Sequence, residues 1–358
     1  MATNAPNLVR LKKLIPKLRG QRMGVLGDLM LDRYLWGDVS RISPESPVPV
    51  VDFRGQEECL GGAGNVAANL AAMGARVQMF GVVGASKSGE DEAGRGLRKS
   101  LRALGILEQG VVADASRITT VKTRIIARHQ QIVRVDRERR EILNGVTEDK
   151  VFRRFANAVK GLDGLVLSDY DKGVITDSLS ERVMGLCHKE GVPVFVSPKK
   201  PRLFAHRGAR LVVCNLAEAA RFVTHPVQDE KSIEQAGRAM LAHFGSAAVV
   251  ITRSEHGMSV FEETSSRHLQ IPATSFDVTY DRVGKQGVER ETAGRQVFDR
   301  TGAGDTALSL LSLGIAAGVP VTEAAMLANA GAGVVVRKIG TATVSPKELE
   351  HALEEIRR

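Results

Sequence analysis

From about residue 23 to the C-terminus, short apolar runs alternate with longer stretches whose apolar positions recur every three to four residues. The short runs, at 23–27, 77–83, 164–168, 192–197, 211–214 and 247–252, read as strands. The longer stretches predict helices over 64–73, 91–104, 178–190, 232–244, 303–317, 322–336 and 346–356, the last three in succession. Strand and helix in alternation imply βαβ units. The expected fold is therefore α/β, built on a mostly parallel sheet. No internal repeat of 20–50 residues is visible.

Two segments break the alternation. Residues 47–53 and 119–136 are rich in β-branched side chains and read as extended strands, and Pro47 and Pro49 suit an edge strand. Together they predict a small antiparallel sheet acting as a lid, or else ordinary surface hairpins. Residues 276–296 are polar, carry Gly284, Gly287 and Gly294, and are too long for a normal connection. They form an insertion, either a functional loop or a partly disordered one. Its opening residues, Phe276-Asp277-Val278-Thr279, resemble Phe298-Asp299-Arg300-Thr301, but only the second copy runs into Gly302-Ala303-Gly304-Asp305. Residues 1–22 are basic and lack a long apolar run, so they read as an N-terminal extension, not a secretory signal. The expected organisation is that extension followed by a single domain over 23–358.

Composition narrows the setting. The net charge of +9 favours anionic partners, but aromatics are only 4% and the basic residues are scattered. That argues against nucleic acid and for small anions. No apolar run reaches the roughly 18 residues of a membrane span. Cys59, Cys187 and Cys214 form neither a close pair nor a metal-type pattern, which suits a reducing cytoplasm.

The strongest chemical signal is Gly302-Ala303-Gly304-Asp305-Thr306, a glycine-rich turn running into an apolar helix. Glycines admit close approach by a ligand, and the first helical N–H groups have no internal partner, so such a start attracts phosphate. Asp305 stands where its carboxylate can face a substrate hydroxyl beside that phosphate, or can simply cap the helix. Gly61-Gly62-Ala63-Gly64-Asn65 reads as backbone close to a polar ligand, with Asn65 on its hydroxyls, or as a packed helix start. The residues before it, Gln56-Glu57-Glu58-Cys59, are not a buried strand, so its G-x-G-x-x-A spacing lacks the context of a dinucleotide site. The stretch from Gly81 to Ser88 has Ser86 where a P-loop needs its second glycine, and is rejected. Asp32 and Glu218 each follow a strand, where open α/β sheets bind ligands. Asp32 either holds sugar hydroxyls or pairs with Arg33 or Arg41. Glu218 either holds Mg²⁺ through water or caps a helix beginning near Leu216.

The order of these pieces, an early Gly-Gly-x-x-Asn, a middle Asn215-Leu216-Ala217-Glu218 and a late Asp-x-Thr-Gly-Ala-Gly-Asp-Thr, resembles the ribokinase-like carbohydrate kinase family. Within it the chain is most similar to the bacterial heptose 7-phosphate kinases of ADP-heptose synthesis. That likeness is carried by 27–49, 119–138, 167–173 (LSDYDKG), 252–258 (TRSEHGM) and 338–345 (KIGTATVS). The resemblance implies a three-layer, Rossmann-like core with a β-lid that often mediates dimerisation. It also implies transfer of the ATP γ-phosphoryl to the anomeric O1 of a heptose 7-phosphate. Asp305 would be the base and Gly302, Ala303 and Gly304 the anion hole. Asn215, Leu216, Ala217 and Glu218 would contact nucleotide phosphates and Mg²⁺, while Thr252, Ser254, Gly257 and Asn329 would line the nucleotide pocket. Asp32, Gly61, Gly62 and Asn65 would hold the sugar, and Lys122, Arg124, Arg128, Arg134 and Lys172 are candidates for its phosphate. Bifunctional members carry a nucleotidyltransferase after the kinase; a chain ending at Arg358 would need a separate one. Departures from the family pattern are Ser197 before Pro198-Lys199-Lys200, Val213-Cys214 before Asn215, Arg337, and the insertion. A kinase of another sugar or nucleoside, or a catalytically weak nucleotide-binding relative, remains open at this point.

Overall fold

The computed structural model describes residues 8–356 except 88, 128–129, 201–204, 225, 266–267, 275–277, 285–286, 294–300 and 339, and for 278–284 and 287–293 the backbone only. The chain opens with α1 (Leu8–Leu14), β1 (Arg22–Gly27), β2 (Leu29–Ile42), β3 (Pro49–Gly62) and α2 (Ala63–Ala72). It continues through β4 (Arg76–Ser86), β5 (Gly89–Glu90), α3 (Glu92–Ala103), β6 (Leu107–Asp114), β7 (Thr120–Ala127), β8 (Gln130–Arg137) and α4 (Gly145–Ala156). Next come β9 (Gly164–Ser168), α5 (Asp177–Glu190), β10 (Val194–Ser197), β11 (Leu211–Asn215), α6 (Leu216–Ala219), α7 (Glu230–Phe244) and β12 (Ala248–Thr252). The remainder is β13 (Met258–Glu262), β14 (Leu269–Ile271), β15 (Val278–Gly284), β16 (Gly287–Ala293), α8 (Ala303–Ala316), α9 (Val321–Val335) and α10 (Pro346–Glu355).

Among the described residues the main sheet has the order β14-β13-β12-β11-β10-β9-β1-β4-β5, with β6 also on β4. Pairing is parallel from β12 through β4 and on to β6, and antiparallel at β13, β14 and β5. Neighbouring residues of its central strands point into different cores. Val25, Val166 and Val250 join one face with α1, α2, α3, α8, α9 and α10, while Leu26, Leu167 and Ile251 join the other with α4, α5 and α7. That two-sided burial is why these strands read as unbroken apolar runs. The fold is the three-layer α/β architecture expected, of ribokinase-like type.

The second sheet, β3-β2-β7-β8, differs from expectation in two ways. It is mixed, because β2 and β7 run parallel while β2–β3 and β7–β8 are antiparallel. It also contains β2, which follows β1 with only Asp28 between and which the apolar pattern did not show. The outer half of β2 is largely exposed, and its pairing shifts register at Trp36/Gly37 and Val39/Arg41, so alternation is lost there. Pro49 opens β3, an edge strand, where a missing N–H does no harm. The backbone of the insertion pairs as the hairpin β15–β16. Its copy at 298–300 lies outside the described residues. Leu11, Leu14, Ile15 and Leu18 are buried in the main core, so the domain includes residues placed in the extension. The near-miss P-loop is simply β4 and the turn after it, with Gly84 N–H bonded to the Thr119 hydroxyl at 2.8 Å. No helix among the described residues is long and apolar enough to cross a membrane.

Candidate active site

The parallel strands β1, β9, β10, β11 and β12 end on one edge, and α8 begins beside them. Gly302, the residue before α8, is left-handed (φ 85°), and a Cβ there would come within 2.9 Å of the Asn65 amide nitrogen. No side chain caps α8, which leaves its first-turn N–H groups to water or a ligand. Gly304 is exposed and has open space where a side chain would be. Asp305 follows, half-buried, in the first turn of the helix. Its Oδ2 accepts from Asn65 Nδ2 at 2.8 Å and its Oδ1 from the Tyr170 hydroxyl. Asn65 is itself fixed by buried Asn69, which donates to its backbone and side-chain oxygens and accepts from Thr306 at 3.0 Å. Every proton in this chain thus points toward the carboxylate. Although its edge meets solvent, burial pushes the Asp305 carboxyl up to about 6, with the Tyr170 and Asn65 bonds and the Lys199 charge opposing and Asp32 adding.

Tyr170 was missed from sequence. It lies just past β9, within LSDYDKG, and only strand order shows that this end neighbours α8. Burial holds its phenol well above the ordinary tyrosine range, so it remains a donor. Lys199, noted before only within a departure from the family pattern, places its ammonium 5.1 Å from the Tyr170 ring centroid and pairs with Glu218.

On the second-sheet side, buried Asp32 pairs with buried Arg124, whose guanidinium lies 5.4 Å from the Tyr34 ring centroid. Gly61 is required here, since a Cβ would fall 2.4 Å from Asp32 Oδ2. Gly62 is left-handed (φ 56°) and packs on the Asp28 carbonyl. Asp32, Gly61, Gly62, Asn65 and Arg124 are therefore brought together next to Asp305. The other cations are placed differently. Lys172 pairs with Glu138 at 2.8 Å, Lys122 with Asp136 at 2.9 Å, and Arg134 with the same Asp136 at 2.9 Å. Arg128 lies outside the described residues.

On the other side, Asn215 and Glu218 form a reciprocal cap at the start of α6, each backbone N–H bonded to the other's side chain at 2.9 Å. Leu216 and Ala217 make the turn between them. Thr252 is the register partner of Asn215 on the next strand. Ser254 (φ 52°) and Gly257 (φ 81°) shape the following turn, and a Cβ on Gly257 would lie 2.0 Å from the Ile271 carbonyl oxygen. Asn329 donates to Pro272 O at 2.8 Å, so it braces the wall formed by 272–274. Arg337 pairs with Glu355 at 2.9 Å, while Cys214 is buried beneath the sheet edge with its thiol pushed up by burial. No cluster of three potential metal ligands occurs among the described residues. A Mg²⁺ here would be carried in on substrate phosphates and not held in an all-protein cage; Glu218, whose oxygens are taken by Lys199 and the Asn215 N–H, would have to release Lys199 to join it.

A first-turn carboxylate beside open helix N–H groups, at the C-terminal edge of a parallel sheet, suits an anionic ligand with a hydroxyl beside it. Residues 21–348 match the family described as pfkB family carbohydrate kinase. The chain belongs to that family. As a pfkB-family carbohydrate kinase it transfers phosphate to an alcohol group. It is 42% identical over 325 residues, 91% of its length, to the bifunctional protein HldE of Trichlorobacter lovleyi, of which it covers 61%. It is 41% identical over 339 residues, 95% of its length, to that of Geotalea uraniireducens, of which it covers 64%. The chain thus spans under two thirds of these relatives. Among solved structures it is similar to Arabidopsis thaliana ribokinase complexed with ribose and ATP (TM-score 0.69, 18% identity, 94% of this chain, 99% of that one). It is also similar to Escherichia coli phosphofructokinase-2 with substrates and products (TM-score 0.72, 17% identity, 94% and 100%).

Proposed function

We propose that this kinase transfers the γ-phosphoryl group of ATP to the anomeric O1 of a heptose 7-phosphate, giving the 1,7-bisphosphate, with Asp305 as the base. The observation that carries the base assignment is the Asp305 carboxylate, held by Asn65 and Tyr170 at the uncapped start of α8. Similarity to HldE proteins over the kinase-length part of the chain supports the heptose phosphate. In this reading Asp305 accepts the O1 proton as the hydroxyl attacks, and the N–H groups of Ala303, Gly304 and Asp305 stabilise charge on the transferring group. Asn65 and Asp32 orient the sugar hydroxyls, and Arg124 and Lys172 meet its phosphate by exchanging their carboxylate partners, Asp32 and Glu138. Glu218, once freed from Lys199, would hold Mg²⁺ through water, and the ion would supply charge neutralisation on the nucleotide phosphates. Asn215 and the 252–257 turn face the nucleotide, against a wall braced by Asn329.

The second sheet acts as a lid over the sugar. Its exposed Ile42, Phe53, Ile132, Val133 and Val135 suit pairing with a second copy, making a homodimer through the lids. Free Cys59, Cys187 and Cys214 suit a reducing cytoplasm. The product would pass to a nucleotidyltransferase in ADP-heptose formation. The deciding experiment is ADP release with a panel of sugars, sugar phosphates and nucleosides. The heptose 7-phosphate should give the highest kcat/KM. A hexose phosphate or nucleoside ahead of it would replace the substrate and leave the kinase in place.

A further inference from the structure

The two donors to Asp305 stand on separate segments, Tyr170 after β9 and Asn65 in the first turn of α2. Both segments are anchored on one residue, Asp28, the single residue between β1 and β2. Its Oδ2 accepts from Tyr170 N–H at 2.7 Å and Lys172 N–H at 3.2 Å, and its Oδ1 accepts from Val174 N–H at 3.0 Å. Its carbonyl accepts from Ala63 N–H at 3.0 Å, two residues before Asn65, and its own N–H donates to Ser168 O at 3.2 Å. The loop it holds contains a left-handed residue other than glycine, Asp171 (φ 57°), a conformation that persists only where surroundings fix it. Three convergent N–H groups, shared between two oxygens, need a group that accepts on both. A carboxylate does so; an amide would turn its NH₂ against one of them.

We infer that Asp28 is a positioning residue for catalysis, holding Tyr170 and Asn65 in register so that both donate to Asp305. This rests on Asp305 being the base, as proposed above. Other charged groups act at the site: Lys199 and Asp32 on Asp305, Asp32 and Glu218 on Tyr170, and Asp169 on Asp28. Replacing Asp28 with Asn removes the last of these and leaves those acting on Asp305 and Tyr170 in place.

The test compares Asp28→Asn, Tyr170→Phe, the double variant and Asp305→Asn, reading kcat from about pH 5 to pH 9 and KM for ATP. Losing the Tyr170 donor should lower kcat about tenfold and move the acid limb up by about one pH unit, because a bond to the charged form is gone. Asp28→Asn should do the same in direction, with KM for ATP changed less than about twofold. The double variant should be no worse than Tyr170→Phe by more than about twofold, since both act through one bond. A purely structural Asp28 would lower thermal stability, leave the acid limb in place and multiply with Tyr170→Phe. That result overturns the proposal. Should Asp28→Asn not fold, Asp28→Ser is read in its place, a shifted limb supporting the proposal and an unshifted one overturning it. Near-normal turnover in Asp305→Asn removes the base and this inference together. An inactive Asp305→Asn with unmoved limbs and multiplying losses removes this inference only.

Discussion

Asp305 meets two opposed demands: burial favours its neutral form, while deprotonating a hydroxyl requires the charged one. Its native value near 6 lies above that of an unfolded aspartate, so the native state binds the extra proton between about pH 4 and pH 6. Stability due to this group is therefore greatest below that window, falls as pH rises through it, and is flat above. Asp305→Asn keeps the shape and removes the charge. The variant should be more stable than the parent at pH 7.5, by about 1–2 kcal/mol, and lose that advantage near pH 4. Its turnover should fall about 10²–10⁴-fold with ATP binding kept. Thermal melts at both pH values and single-turnover assays check the pair of effects; a destabilised variant at pH 7.5 would contradict the burial argument. The parent's kcat/KM should drop about tenfold per unit below pH 6, following the same proton. Asp305 was legible in sequence because its glycines and helix start are contiguous. Tyr170 and Lys199 were not, because they reach it only through the neighbour relations of β9, β10 and α8.

At the scale of elements, β2 and β7 are joined by more than their ladder, since Asp32 on one and Arg124 on the other form a buried pair. Burial raises the Asp32 carboxyl and Arg124 opposes that. Removing the cation alone leaves a carboxylate with no counterion at the base of the second sheet. Arg124→Ala should therefore destabilise by about 3–5 kcal/mol, and adding Asp32→Asn should restore a large part of it. Urea unfolding of the two singles and the double measures this; additive losses would mean that the pair is not coupled. Sequence named both residues for ligand contact but offered Arg33 or Arg41 as the partner of Asp32; Arg33 pairs with Glu58 instead, and Arg124 reaches Asp32 only through the non-local pairing of β2 with β7. β2 itself was hidden, its partner and the parallel pairing with β7 being non-local facts that no periodicity encodes.

At the scale of the whole molecule, the two faces of the main sheet are covered by helices drawn from both ends of the chain. The alternation from residue 23 onward made that architecture legible, whereas the basic face of residues 8–18 concealed their apolar one. Leu18, fully buried at the end of the 3₁₀ turn Ile15–Leu18, shares a core with Leu70 of α2, Leu308 of α8 and Leu349 of α10. If this segment is structural, Leu18→Ala creates a cavity in the central core. It should then destabilise by about 2–5 kcal/mol, as much as Leu70→Ala. An appendage resting on the surface would give under about 1 kcal/mol and leave Leu70→Ala far ahead. Equilibrium urea unfolding separates the two, provided both variants share the parent's m-value. Because α8 packs on the same cluster, the Leu18→Ala protein should also bind ATP normally at low temperature and lose activity earlier on heating, in step with its unfolding.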